Sequence, residues 1–240
     1  MIELYNKNCT FRKTYLSNLI NRFSNASLSV EGLEGDLSNP YQAMQLYYQS
    51  QALNYIFSLP QNEQLTIGNI KEIEKIITQG ELESFRTTQA EVCGSAIPRT
   101  KPQNIYMSLY QLFDNYYNIW SDLDPYYKEA LFHIRFLHIH PFEDGNGRTA
   151  RILLIRNLCA DNQIPCVITK ETKSEYCQYI EHNDPKGLAN FLKMLSEKEL
   201  ETMLHMYKDL NQQGLIESNN MTEEQQKEYE KCIVLKRTDH

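Results

Sequence analysis

Apolar residues recur at helical spacing along most of this chain. The pattern predicts helices over about 12–23, a short one at 26–32, then 40–57, 66–79, 104–121, 125–139, 148–162, 172–183 and 187–209. Pro60, Gly80, Pro98, Pro102 and Pro165 punctuate them. Asp124 is a good N-cap and Pro125 suits the first helical position, where a missing N–H costs nothing. Leu131, Ile134 and Leu137 then repeat on one face, and Pro141 stops the run because it pushes the residue before it out of the α region. One stretch breaks the pattern. Phe85 to Arg99 is rich in β-formers around Gly94 and predicts a small hairpin. Gln212–Asn220 is a polar linker by composition, and Met221–Leu235 predicts a charged terminal helix. The expectation is an all-α fold carrying one small β-hairpin.

The chemistry is concentrated in twelve residues, His140-Pro-Phe-Glu-Asp-Gly-Asn-Gly-Arg-Thr-Ala-Arg151. His140 sits where a helix ends, and an imidazole accepts a proton near neutrality. The helix terminus raises its pKa and burial lowers it. Gly145-Asn146-Gly147 can turn tightly and bring backbone N–H groups close to an anion. The helix that follows, with Ile152, Leu153, Ile155 and Leu158 apolar, points its positive end at the same place. Arg148 and Arg151 are three apart and lean over it together, with planar forks suited to phosphate. Asp144 is the carboxylate placed for a hard divalent ion such as magnesium. Each fragment alone fits a surface turn and a solvated helix face. All of them at this spacing fit a site that holds a nucleoside triphosphate and attacks it.

Charge and cysteine content narrow the classes. With 24 basic against 31 acidic residues the net charge is −7, which disfavours nucleic-acid binding and adsorption to an anionic membrane. No apolar run approaches the ~20 residues of a membrane span, and the N-terminus lacks a signal-peptide layout. The six cysteines form no Cys-x-x-Cys pair, so a reduced, cytoplasmic setting is expected. The sixteen tyrosines are many for 240 residues; amphipathic packing, self-association and self-modification all remain open for them.

The twelve-residue stretch resembles the signature of the Fic (Fido) family, His-Pro-Phe-x-Asp/Glu-Gly-Asn-Gly-Arg-x-x-Arg, with every fixed position filled. The resemblance covers roughly residues 63–200, with 24–35 added by a second motif. It implies a protein adenylyltransferase that moves AMP from ATP to a Ser, Thr or Tyr hydroxyl. His140 would be the general base and Asp144 the Mg²⁺ ligand. Gly145, Asn146 and Gly147 would form the anion hole, with Arg148 and Arg151 gripping the outer phosphates. The family's phosphotransferase carries Lys where this chain has Arg148, which favours AMP transfer.

Ser27-Leu-Ser-Val-Glu31-Gly32 is similar to the family's inhibitory motif, Ser/Thr-x-x-x-Glu-Gly/Asn. It equally fits an ordinary helix end stopped by glycine. If inhibitory, Glu31 would pair with Arg151 and compete with the γ-phosphate. The Phe85–Arg99 stretch is similar to the family's flap, which registers the target protein by main-chain pairing. An ordinary surface hairpin fits it as well. Tyr176 fits the aromatic position that helps enclose adenine in the family; Asp184 stands where the amide is expected, leaving Asn183, one residue before it, as the candidate, and amphipathic packing also accounts for tyrosines there. The implied division is 1–62 with the inhibitory helix, 63–200 as the core, and 201–240 as a C-terminal helix and tail. Transfer of another nucleotide, AMP removal with Glu31 orienting water, and a helical regulatory module that only binds nucleotide are the competing expectations.

Overall fold

The computed structural model describes residues 1–33, 37–80, 84–91 and 97–216. Among these the chain forms helices α1 (Ile2–Lys7), α2 (Cys9–Val30), α3 (Pro40–Ser58), α4 (Ile67–Ile77), α5 (Ile105–Asp114), α6 (Pro125–Ile139), α7 (Asn146–Ala160), α8 (Lys173–Glu181) and α9 (Pro185–Gln212), and no strand. The all-α expectation therefore holds.

The starts of the helices follow local chemistry. Asn39 Oδ1 accepts from the Tyr41 N–H at 3.0 Å with Pro40 in the first position of α3. Thr66 and Asn69 close a reciprocal capping box on α4. Asp124 accepts from the Tyr127 N–H at 3.0 Å and starts α6 as its sequence predicts.

Four elements differ from expectation, the first being α1, a short helix at Ile2–Lys7 where none was predicted. The two helices predicted over 12–23 and 26–32 are one, α2. Ser24, Asn25 and Ser27 are weak helix formers, but Ser24 and Ser27 are fully buried beside Phe23 and Leu28, and packing overrides propensity. The helix predicted over 104–121 is α5 continued by a π-helical turn at Asn115–Ile119, where the Trp120 N–H reaches back to Asn115 O at 2.7 Å. Within Phe85–Arg99, residues 85–91 and 97–99 contain no strand, and 92–96, with Gly94, lie outside the described residues. The hairpin is not formed where it can be followed. The expected terminal helix at 221–235 also falls outside the described residues.

Contacts divide the chain into two units. One joins residues 1–17 with the described residues from 200 onward; within it Phe11 meets Tyr207 edge-on with ring centres 5.2 Å apart. The other runs from Asn18 to Glu199 and contains the signature loop. At its centre, α7 is buried on every side, at Asn146 and from Arg148 through Leu158, which marks a core helix rather than a surface one. It packs against α3, α4 and α6. On its far side Leu154 and Leu158 join Val30, Ile134, Ile168, Tyr176, Leu188 and Leu192 in one apolar cluster. Arg22 and Glu199 clamp α2 to α9 through a two-point ion pair, Nη1–Oε2 at 2.9 Å and Nη2–Oε1 at 2.5 Å.

Candidate active site

The site begins where α6 stops. His140 takes a left-handed backbone conformation, φ 51° and ψ 62°, with its N–H on Phe136 O at 3.0 Å. Such a φ is uncommon outside glycine and turns the chain sharply out of the helix. Phe142 then anchors the loop in the core against Phe85, with ring centres 5.7 Å apart. Asn146 closes the loop. Its Oδ1 accepts from the Phe142 N–H at 2.9 Å, and its Nδ2 donates to Phe142 O at 2.8 Å. The Asn146 amide thus uses its oxygen and one of its two N–H donors inside the loop. Gly145 (φ 79°) caps α7, which starts two residues earlier than the sequence pattern predicts.

Both signature arginines are buried and held by side chains from α2, α3 and the loop. Arg148 Nη1 donates to Gln45 Oε1 at 2.7 Å, and its Nη2 donates to Asp144 Oδ2 at 2.8 Å. Arg151 Nε donates to the Ser27 hydroxyl at 2.9 Å, and its Nη2 donates to Ser27 O at 3.0 Å and to Glu31 Oε1 at 2.6 Å. Gln49 Nε2 also donates to the Ser27 hydroxyl at 3.3 Å. A Cβ added at Gly147 would lie 2.7 Å from Glu31 Oε1, so the glycine is what lets that carboxylate rest on the first turn of α7. Gly32 (φ 84°) ends α2 in a Schellman turn, with Leu33 N on Leu28 O and Gly32 N on Ser29 O, both at 3.0 Å. Burial pushes the Glu31 carboxyl up, but the charge and hydrogen bond of Arg151, then the charges of Arg148 and Lys173, bring it below its ordinary value. Glu31 is an anion in this arrangement.

A cleft of about 350 Å³ opens between these groups, lined by Glu31, Tyr41, Gln45, His140, Asp144 and Gly147 among others. Burial, followed by the charges of Arg99 and Arg86, lowers the His140 imidazole to about 4, against a hydrogen bond to Leu137 O that favours its protonated form. At neutral pH the ring is uncharged. The hydrogen bond to Leu137 occupies one ring nitrogen as donor and leaves the other to accept a proton. The Asp144 side chain is 72 % exposed, and its Oδ1 accepts from the Gly145 N–H at 2.5 Å. No group of three or more His, Cys, Asp or Glu side chains converges on a metal position among the described residues. One reachable carboxylate suits magnesium, which takes the rest of its ligands from phosphate and water.

The structure thus brings Ser27, Glu31, His140, Asp144, Gly145, Asn146, Gly147, Arg148 and Arg151 together. Tyr176 and Asn183 are not among the residues lining that cleft, although the Tyr176 hydroxyl interacts with Arg151 behind it. Tyr176 is 3 % exposed in the apolar cluster, with its hydroxyl 2.7 Å from His133 Nε2, and burial holds that imidazole down at about 3. Asn183 lies on the exposed turn between α8 and α9 with φ 50°. Four participants were not legible as such. Gln45 and Tyr41 come from α3, more than ninety residues before the loop in sequence. Glu74 on α4 stands behind Gly145, its Cγ 3.8 Å from where a Cβ would be, and burial raises its carboxyl to about 7. Arg86 is the fourth.

Residues 64–158 match the family model of the Fic/DOC family. Over 206 residues the chain is 32 % identical to the protein adenylyltransferase Fic of Drosophila virilis, a match covering 80 % of this chain and 41 % of that protein. The chain spans about two fifths of the length of the curated relatives it matches. A Fic domain containing signaling protein from Bacteroides thetaiotaomicron superimposes with a TM-score of 0.76 at 21 % identity, covering 87 % of this chain and 95 % of that one. IbpAFic2 covalently tethered to Cdc42 superimposes with a TM-score of 0.56 at 19 % identity, covering 76 % and 63 %.

Proposed function

We propose that the chain, whose residues 64–158 match the Fic/DOC family model, is a protein adenylyltransferase that transfers AMP from ATP to a hydroxyl of a target protein, and to its own chain, under restraint by Glu31. The observation that carries this reading is one cleft lined by a neutral imidazole, a reachable carboxylate and Arg148 at the N-terminus of α7, with the buried Arg151 one turn further along that helix. The relatives named protein adenylyltransferase Fic support the reaction type, and the neighbour tethered to Cdc42 supports a protein as acceptor.

In this reading the triphosphate lies over the first turn of α7, with its outer phosphates on Arg148 and Arg151. Asp144 would hold magnesium together with phosphate oxygens, and the ion would supply charge neutralisation there. The unprotonated nitrogen of His140 takes the proton of the acceptor hydroxyl. That oxygen bonds to the α-phosphorus, the bond to the bridging oxygen of the β-phosphate breaks, and pyrophosphate leaves. Glu31 competes for Arg151 and sits where the terminal phosphate is needed, so release of that pair admits the productive pose.

The target is read as docking along the 85–99 stretch. The base is read as adenine without assigning Tyr176 or Asn183 to it. Among the described residues no helix is long and apolar enough to cross a membrane, and the described cysteines are free, in keeping with a cytoplasmic setting. The deciding experiment is labelling with ATP radioactive at the α-phosphate and Mg²⁺, comparing wild type, His140→Ala and Glu31→Gly, with and without cell lysate. Label on protein that disappears in His140→Ala and rises in Glu31→Gly is expected. Label absent from every variant despite ATP binding would sink the reading.

A further inference from the structure

Four consecutive carbonyls at the end of α6 are satisfied by one stretch of chain. His138 O accepts from the Thr100 N–H at 3.3 Å, and Pro141 O accepts from the Arg86 N–H at 2.9 Å. Between them, Ile139 O accepts from Arg86 Nη2 at 3.2 Å, and His140 O accepts from Arg86 Nε at 2.6 Å. The same guanidinium donates through Nη1 to Thr88 O at 2.7 Å and through Nη2 to Thr100 O. A helix end leaves its last carbonyls without intrahelical partners, and each one buried without a donor is costly. Arg86 is 2 % exposed, and its charge faces carbonyl oxygens and the negative end of α6 rather than a hydrogen-bonded carboxylate.

The carbonyls it holds belong to the place where geometry matters most. The left-handed backbone of His140 decides where the imidazole points, and such a conformation persists only when its surroundings over-determine it. Resting on the transferase reading, we propose that Arg86 is a positioning residue for AMP transfer. Its fork locks the backbone of His140 and ties it to both Thr88 and Thr100. The base is then held as one unit with Thr88 and Thr100, described residues on either side of the stretch read as receiving the target. The planar, five-donor guanidinium is what serves a fan of carbonyls; a lysine ammonium is a point donor and cannot span them.

The test compares Arg86→Lys and Arg86→Gln with their parent in the full chain, each also carrying Glu31→Gly. AMP transfer, ATP affinity and amide hydrogen exchange are measured together. Transfer in Arg86→Lys is expected to fall roughly 10²-fold, the cost of displacing a reacting group by ~1 Å, with ATP affinity unchanged. Exchange is expected to accelerate jointly in residues 86–101 and 138–142, while α7 keeps its protection. Transfer at the parent rate overturns the proposal. So does ATP binding lost in step with transfer, or exchange that rises in α7 as well, since either marks a general structural role. If the parent itself transfers no AMP, the transferase reading fails and exchange alone decides. Joint opening of the two stretches then upholds the anchoring, and independent opening overturns it.

Discussion

Glu31 Oε1 lies 2.6 Å from Arg151 Nη2 and only 2.7 Å from where a Cβ at position 147 would stand. One carboxylate therefore occupies both the guanidinium and the space over the first turn of α7. Those are the two features that make this end of the helix attractive to a phosphate. Arg151 is the more deeply placed partner, its side chain 2 % exposed against 41 % for Glu31, so the carboxylate is the member free to leave.

Glu31→Gly is expected to raise AMP self-labelling by on the order of tenfold or more, corresponding to ~1.4 kcal/mol of competing attraction. Initial rates at fixed ATP measure it. Equal rates in the two proteins would mean that the pair restrains nothing.

His140→Ala is expected to reduce transfer by roughly 10²–10⁴-fold while leaving ATP binding intact, the usual contribution of a positioned base. Retained ATP affinity separates this outcome from collapse of the loop.

The pH dependence follows from the depressed imidazole. Because the reactive form is neutral and the folded pKa is about 4, kcat/KM should show no fall near the ordinary value of 6.5 and should decline only as pH drops toward 4. Arg99→Gln removes the largest charge acting on the ring and should move that decline to higher pH. A decline centred at 6.5 in the wild type would show that burial does not control this base.

Gln45→Leu removes the acceptor from Arg148 Nη1 and leaves Asp144 as that fork's remaining acceptor on the loop. With hydrogen bonds to charged groups worth ~1.5 kcal/mol or more, KM for ATP should rise about tenfold. An unchanged KM would place Arg148 away from the phosphates.

Tyr176→Phe should lower folding stability by about 1 kcal/mol through loss of the contact with His133, and should leave discrimination between ATP and GTP as in the wild type. Denaturant unfolding and nucleotide competition read the two effects separately. A change in base preference would return Tyr176 to the nucleotide site.

The helices were legible where local chemistry decides them. Asp124, Pro125 and Pro141 set the ends of α6, and the signature loop that follows forms as one constellation because its members are neighbours in sequence. Legibility stopped where tertiary packing decides. The serines and asparagine of α2 predict a break that burial removes. Helical spacing places Tyr176 on a face without saying whether that face meets nucleotide or core. Gln45 and Arg86 look like ordinary polar residues until the fold sets them beside Arg148 and His140, across 103 and 54 positions of chain.

The amide of Asn146, spanning its own loop to the backbone of Phe142, acts as a rivet. The ordering entropy of the turn between α6 and α7 is met during folding, not when nucleotide arrives. Entry then asks nothing of that backbone. Under the proposed restraint, the act that separates the resting protein from the working one is the swing of a single glutamate side chain about its own torsions. A switch of that kind operates at the speed of rotamer exchange rather than of a moving lid, and whatever holds Glu31 aside need only out-compete one ion pair.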